Sequence, residues 1–209
     1  MSKSGALLFV KLDPPEKNLK EFNEWYNKRH IPDRLALPGV LSARRFTLVK
    51  GVPQQYAIAP EAEYLALYDL AGVKTLLDTP YQELRAKEAK RGADSFETLI
   101  FKLPRFTRAI YEQIYPEKPD KAYRPGKFLM VVGHDVPRSR HQEFNAWYNT
   151  EHIQSLLAVP GFMNVRRFRL NERDIPPVVD RDGTVSQYMT IWEIESDKAV
   201  SSEAFTNAA

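Results

Sequence analysis

The chain has 209 residues, 43% of them hydrophobic and 27% charged, and a formal net charge of +3. This is a globular composition, and the charge is too small and too dispersed for a nucleic-acid surface. The absence of cysteine excludes disulfides, thiolate metal sites and a cysteine nucleophile, and the apolar run at residues 6–10 is too short for a signal segment or a membrane span.

In chain order, residues 6–12 read as a buried strand closed by Asp13-Pro14-Pro15. A helix is expected from about Lys17, its apolar side carried by Leu19, Phe22, Trp25 and Tyr26, with Pro32 ending or kinking it after His30. Pro38-Gly39 breaks the chain before a strand over residues 40–49. A Pro-, Gly- and Gln-rich loop at 51–62 leads to a strand over 63–70. Asp78-Thr79-Pro80 starts a second helix that reaches about Lys90, with Gly92 as its stop. A fourth strand is expected within residues 98–110, interrupted near Pro104.

The pattern then recurs. Phe22-Asn23-Glu24-Trp25-Tyr26-Asn27-Lys28-Arg29-His30-Ile31 returns as Phe144-Asn145-Ala146-Trp147-Tyr148-Asn149-Thr150-Glu151-His152-Ile153, 122 residues later. From Phe22 to Leu48, 15 of 27 positions match without a gap, through Pro160-Gly161 and Arg166-Arg167-Phe168, which indicates a tandem duplication. The expected units are residues 1–110 and 127–209, joined by a proline-containing linker at 111–126. The second unit places strands at 128–133, 162–170 and 187–194, a helix at 139–152 and a last helix at 198–208, with no counterpart of the fourth strand.

Each unit has the β-α-β-β-α-β order of a ferredoxin-like fold, an α+β class. A four-stranded sheet with helices on one face leaves the other bare, and stacking two such sheets into one pseudo-dimeric α+β barrel covers both. The incomplete second unit leaves a sheet edge, which favours a homodimer. Period-two alternation divides each strand between the helix-covered face and the barrel interior. Leu41 and Ala43, with Met163 and Val165, suit the helix side; Ser42, Arg44 and Phe46, with Asn164, Arg166 and Phe168, suit the interior. In the next strand Tyr64 and Tyr68, with Tyr188, Thr190 and Trp192, are expected to line a central cavity, the alternative being the opposite assignment of faces.

Trp25-Tyr26, His30-Ile31-Pro32, Leu37-Pro38-Gly39-Val40 and Arg44-Arg45-Phe46 together resemble the EthD-like branch of the dimeric α+β barrel superfamily. The pattern there is a tyrosine, a histidine at the end of the first helix followed by X-Pro, and a Pro-Gly opening the second strand. The second copy keeps Trp147-Tyr148, His152-Ile153 and Pro160-Gly161 but has Gln154 in place of the proline. The resemblance implies the barrel fold. Its functional implication is broad, since the superfamily contains cofactor-free monooxygenases, decarboxylases, cyclases and lactone isomerases.

Asn23, Asn27 and His30 form one stripe beside the apolar helix face. A histidine there titrates near neutrality and can take and give a proton, with Tyr26 and Asn27 positioning it and Asn23 meeting a substrate carbonyl. The alternative is a histidine that caps the helix end. Arg44 and Arg166 in the barrel would hold an anionic group, or would form ion pairs with Asp69 or Glu193. Phe46, Tyr64, Tyr68, Tyr188 and Trp192 offer walls for a planar guest, and His152 an accessory polar group. His134, where the first copy has Leu12, is a reserve candidate, and His141 is expected to be solvated.

The histidines show no metal-ligand spacing, and no glycine-rich phosphate loop occurs, so no metal and no cofactor are expected. The expectation is a cytoplasmic, cofactor-free enzyme acting on a small aromatic or lactone-like carbonyl compound. Its reaction would be an acid–base isomerisation, cyclisation, elimination or decarboxylation centred on His30. Two alternatives stand beside it: cofactor-free oxygenation of a phenol, and a non-catalytic small-molecule carrier or stress protein.

Overall fold

The computed structural model of the chain describes residues 5–50, 61–117, 123–172, 178–181 and 183–209. Strand β1 (Ala6–Leu12) is buried along its whole length. Helix α1 (Leu19–Trp25) runs into a π turn (Tyr26–His30) and then α2 (Ile31–Leu35), so Pro32 does not end the helix. Proline is tolerated in the first turn of α2, where a backbone N–H is dispensable. Strands β2 (Val40–Thr47) and β3 (Tyr64–Leu70) follow, then α3 (Thr79–Ala89) and α4 (Phe96–Leu99). Strand β4 spans Thr107–Tyr115. Residues 96–102, expected in part as strand, are helical, and β4 continues through five residues expected as linker. The loop expected at 51–62 lies mostly outside the described residues, as do residues 118–122 of the linker.

The second half contains β5 (Phe128–His134), α5 (His141–Trp147), a π turn (Tyr148–His152) and α6 (Ile153–Leu157). Strand β6 (Phe162–Leu170), a short β7 (Val179–Asp180), β8 (Tyr188–Ile194) and α7 (Glu203–Ala208) complete it. Before β2 and β6 the chain turns at Pro-Gly. Gly39 and Gly161 have φ of 83° and 94°, a region where a side chain is strained. At Gly39 a Cβ would also meet Thr75 Oγ1 at 2.7 Å.

All strands are antiparallel, in the order β2-β3-β1-β4-β6-β8-β5, with β7 beside β4. The first half is the ferredoxin-like β2-β3-β1-β4, and the second is the same without a counterpart of β4 among the described residues. Strand β4 pairs with β1 on one side and β6 on the other, joining the halves into one sheet whose ends are β2 and β5. The fold is thus two ferredoxin-like units forming a pseudo-dimeric α+β barrel.

One layer of core lies between sheet and helices in each half: Leu8, Val10, Phe22, Tyr26 and Tyr68 in the first, Tyr148, Ile153, Val165 and Trp192 in the second. A third cluster fills the barrel interior, with Leu7, Phe9, Leu67, Ala109, Tyr111, Phe168, Met189 and Ile191 fully or nearly buried. Where a central cavity was expected, the interior is packed, because both faces of nearly every strand carry large apolar side chains.

Two ion pairs cross this interior reciprocally. Arg44 binds Glu193 at 2.7 and 3.1 Å, and Arg166 binds Asp69 at 2.5 Å. Arg44 faces Leu67 on the neighbouring strand and Arg166 faces Ile191, and the carboxylates stand two residues further on in both halves. Each half therefore gives an arginine to the other's carboxylate.

Candidate active site between helix and sheet

The two π turns set the geometry. The N–H of Ile31 bonds to the carbonyl of Tyr26, and that of Ile153 to Tyr148, five residues back in each case. Widening the turn by one residue brings a tyrosine and the histidine four positions later into ring contact, tilted in the first half and edge-on in the second. Ring centroids are 4.7 Å apart for Tyr26 and His30 and 4.6 Å for Tyr148 and His152. The turn forms with Gln154 as well as with Pro32, so the proline is not its cause.

An arginine from the second strand locks each tyrosine. Arg45 lies 4.0 Å over the Tyr26 ring and donates to the side-chain oxygens of Asn27 (2.7 Å) and Asn23 (2.9 Å). Asn23 in turn donates to the Tyr64 hydroxyl at 3.1 Å. The second half repeats this with Arg167 over Tyr148 at 4.1 Å, bonds to Asn149 and Asn145, and Asn145 donating to Tyr188. Guanidinium stacked on a ring and forked onto two amides is rigid, and lysine could not reproduce it. The asparagines hold the arginine; they make no hydrogen bond to the histidine.

Beyond this shared frame the halves differ. In the first, the Tyr68 hydroxyl donates to Tyr26 at 3.2 Å, and the His30 ring packs against Trp25 at 4.8 Å and Tyr68 at 6.4 Å. Behind it, Arg34 is 6% exposed and makes a two-pronged pair with Glu88 at 2.5 and 2.8 Å, which Arg85 also contacts at 3.2 Å. Burial, then the positive charges of Arg34, Arg85 and Arg45, hold the His30 pKa well below its usual value. Burial raises the pKa of both Tyr26 and Tyr68, and for Tyr68 the neighbouring Tyr26 adds to it. At neutral pH the site therefore holds a neutral imidazole and two neutral phenols within a cationic surround. The buried Nδ1 of His30 has no hydrogen-bond partner. In the second half, Trp192 stands where the first has Tyr68, and apolar Leu156 where it has Arg34. Burial and Arg167 lower the His152 pKa.

Tyr64, Tyr68, Tyr188 and Trp192 lie on the helix-covered face, not in the barrel interior. Register is the reason: Ala43 pairs with Tyr68 and Val165 with Trp192, and cross-strand partners share a face. With a long loop between the strands and apolar residues at both parities, the alternation alone does not choose. Arg44 and Arg166 do face the interior and are committed to the ion pairs described above, and Phe46 packs on the inner cluster. His141 is not simply solvated: its Nε2 lies 2.9 Å from the Val136 carbonyl. Sequence reasoning missed Arg45, Arg167 and the Arg34–Glu88 pair. A signal existed for the first two, because Arg45 shares the strand parity of Ala43 and recurs in the second copy.

No protein-family model matches the chain, and no curated protein matches it in sequence. Solved structures do. The "putative monooxygenase" of Fusobacterium nucleatum subsp. nucleatum ATCC 25586 is 11% identical, with a TM-score of 0.51 over 99% of this chain and 85% of its own. The "putative monooxygenase" of Lactobacillus acidophilus NCFM is 15% identical, with a TM-score of 0.51 over 99% of this chain and 86% of its own. An "ethyl tert-butyl ether d (ethd) family protein" of Bacillus halodurans C-125 matches 53% of this chain with 99% of its own, at 16% identity and a TM-score of 0.36. For the first two, at these identities, the likeness is one of fold.

Proposed function

We propose that the first half carries a cofactor-free enzyme site for proton-transfer chemistry on a small aromatic or lactone-like carbonyl compound, with His30 as general base. The observation that carries this reading is the neutral imidazole with a buried, unpartnered Nδ1 beside the Tyr26–Tyr68 hydroxyl pair. A buried nitrogen without a partner is costly unless something else uses it. A neutral imidazole can take the proton from a carbon next to a carbonyl, and the electron pair moves onto the carbonyl oxygen. The resulting oxyanion is stabilised by the same cationic surround that depresses the histidine, and by a phenol O–H. The imidazolium then returns the proton at another position, which completes an isomerisation, cyclisation or elimination without an external reagent.

The recess lined by Val10, Leu12, Tyr26, Arg45, Tyr64, Leu65 and Ala66 has no room for a water molecule. A second reading, oxygenation of a phenol by dioxygen after the same deprotonation, draws on the names given to the two structures that match nearly the whole chain. The test is a panel of phenols and enolisable lactones screened for thermal stabilisation. Each hit is then assayed for deuterium uptake from heavy water and for oxygen consumption. Deuterium uptake that His30→Gln abolishes supports the first reading, and oxygen consumption supports the second. Binding without either makes the protein a carrier.

A further inference from the structure

Two features of the second half lie side by side. His134, at the end of β5, pairs with Tyr188 as Leu12 pairs with Tyr64, so an imidazole replaces an aliphatic side chain at that place. Its ring lies 5.4 Å from Phe144 and 5.3 Å, edge-on, from Tyr148, and its Nδ1 is buried without a hydrogen-bond partner. His152 meets the same Tyr148 ring at 4.6 Å and stacks on Trp147 at 4.9 Å. Burial, then Arg167 and His152, hold the His134 pKa down at about 4, so the ring is neutral at pH 7 and one nitrogen can accept a proton.

The second feature is an opening. A cleft of about 260 Å³ lies against Phe144 and Trp147, the rings that touch the two histidines, and Trp147 is 44% exposed. The acidic side chains on its rim are engaged. Glu143 takes two bonds from Arg140 at 2.7 and 2.9 Å, and Asp135 Oδ1 accepts from the backbone N–H of Gln187 at 2.8 Å.

We propose that this is a second small-molecule site, which takes a phenol with its ring against Phe144 and Trp147 and its hydroxyl donating to the unpartnered Nδ1 of His134, which packs on the Phe144 ring. Aromatic walls suit a planar ring. With Glu143 paired to Arg140 and Asp135 held by the Gln187 N–H, the cleft favours a neutral ligand over an organic ion of either sign. A neutral imidazole calls for an O–H donor. Arg167, wholly buried behind Tyr148, favours the partial negative charge that such a donor leaves on its oxygen. An aliphatic alcohol offers the donor without the ring and should bind weakly.

The site does not depend on His30, so its test is separable from that of the first half. 4-Nitrophenol is the probe, measured by equilibrium dialysis against the full chain at about pH 6, where its hydroxyl keeps its proton and the His134 ring is still neutral. Binding should persist in His30→Gln and weaken about tenfold in His134→Leu, the loss of one buried hydrogen bond. His134→Leu installs the side chain that the first half carries at that place, so the melting temperature should hold. Trp147→Ala, at an exposed wall, should weaken binding comparably. Undiminished binding in both His134→Leu and Trp147→Ala, loss of binding in His30→Gln, or no binding of 4-nitrophenol at millimolar concentration each overturns the proposal.

Discussion

His30 and His152 share nearly the same backbone, with φ and ψ of −57° and −50° in the first and −62° and −42° in the second. What separates them is the company each keeps: Tyr68 and Arg34 beside His30, Trp192 and Leu156 at the matching places around His152. A lowered histidine pKa also has a consequence for stability. The unfolded chain takes up a proton near the usual 6.5, and the folded chain does not until well below it. Stability is therefore full above about pH 6.5 and falls as the pH drops from there toward the folded pKa. His134 and His152 act in the same direction. Thermal melts between pH 7 and about 5 should show a falling melting temperature, with a shallower slope in His30→Gln. An equal slope would mean that the imidazole is charged in the folded state.

At the scale of elements, the π turn is what turns a helical tyrosine and histidine toward the same stretch of sheet. A π turn is an α-helix with one residue inserted, so deleting exposed Lys28 should restore α geometry while α1 and α2 survive. The expected result is unchanged helical circular dichroism with the His30 pKa, read by NMR, returning toward 6.5 as the ring leaves Tyr26 and Tyr68. A pKa that stays depressed would show that the turn does not set the site. The repeated Trp-Tyr and His-Ile pairs and the Pro-Gly stops made the helix and β2 legible, because spacing and backbone restriction are local. The π turn was not legible, since helical sequences give no local mark of it. The faces of β3 and β8 were not legible either. Tyr68 and Leu67 are both buried, so neither parity reads as the solvent side, and register across a long loop is a non-local fact.

At the scale of the whole molecule, the ferredoxin-like order within each unit followed from the β-α-β-β-α-β pattern and the repeat, while the joining of the two units through β4 and β6 and the packed interior did not. The reciprocal pairs Arg44–Glu193 and Arg166–Asp69 cross from one half to the other. Glu193 is 1% exposed, so removing Arg44 leaves a buried carboxylate without its counter-charge, held by the Tyr123 hydroxyl and the Gly126 N–H alone. Arg44→Met should destabilise the fold by about 3 kcal/mol, and Arg44→Met combined with Glu193→Leu should recover much of that, because an apolar pair costs less than a lone buried charge. Urea melts of the single and double variants measure it, and strictly additive losses would deny the coupling.

The central claim is that chemistry resides at His30 in the first half. Its most direct test is the turnover of a compound identified by the panel, compared between His30→Gln and His152→Gln with melting temperatures taken alongside. General acid–base catalysis contributes about 100- to 10,000-fold, so His30→Gln should lose at least about 100-fold in kcat with its fold intact, while His152→Gln keeps most of it. Turnover that survives in His30→Gln and disappears in His152→Gln would contradict the account.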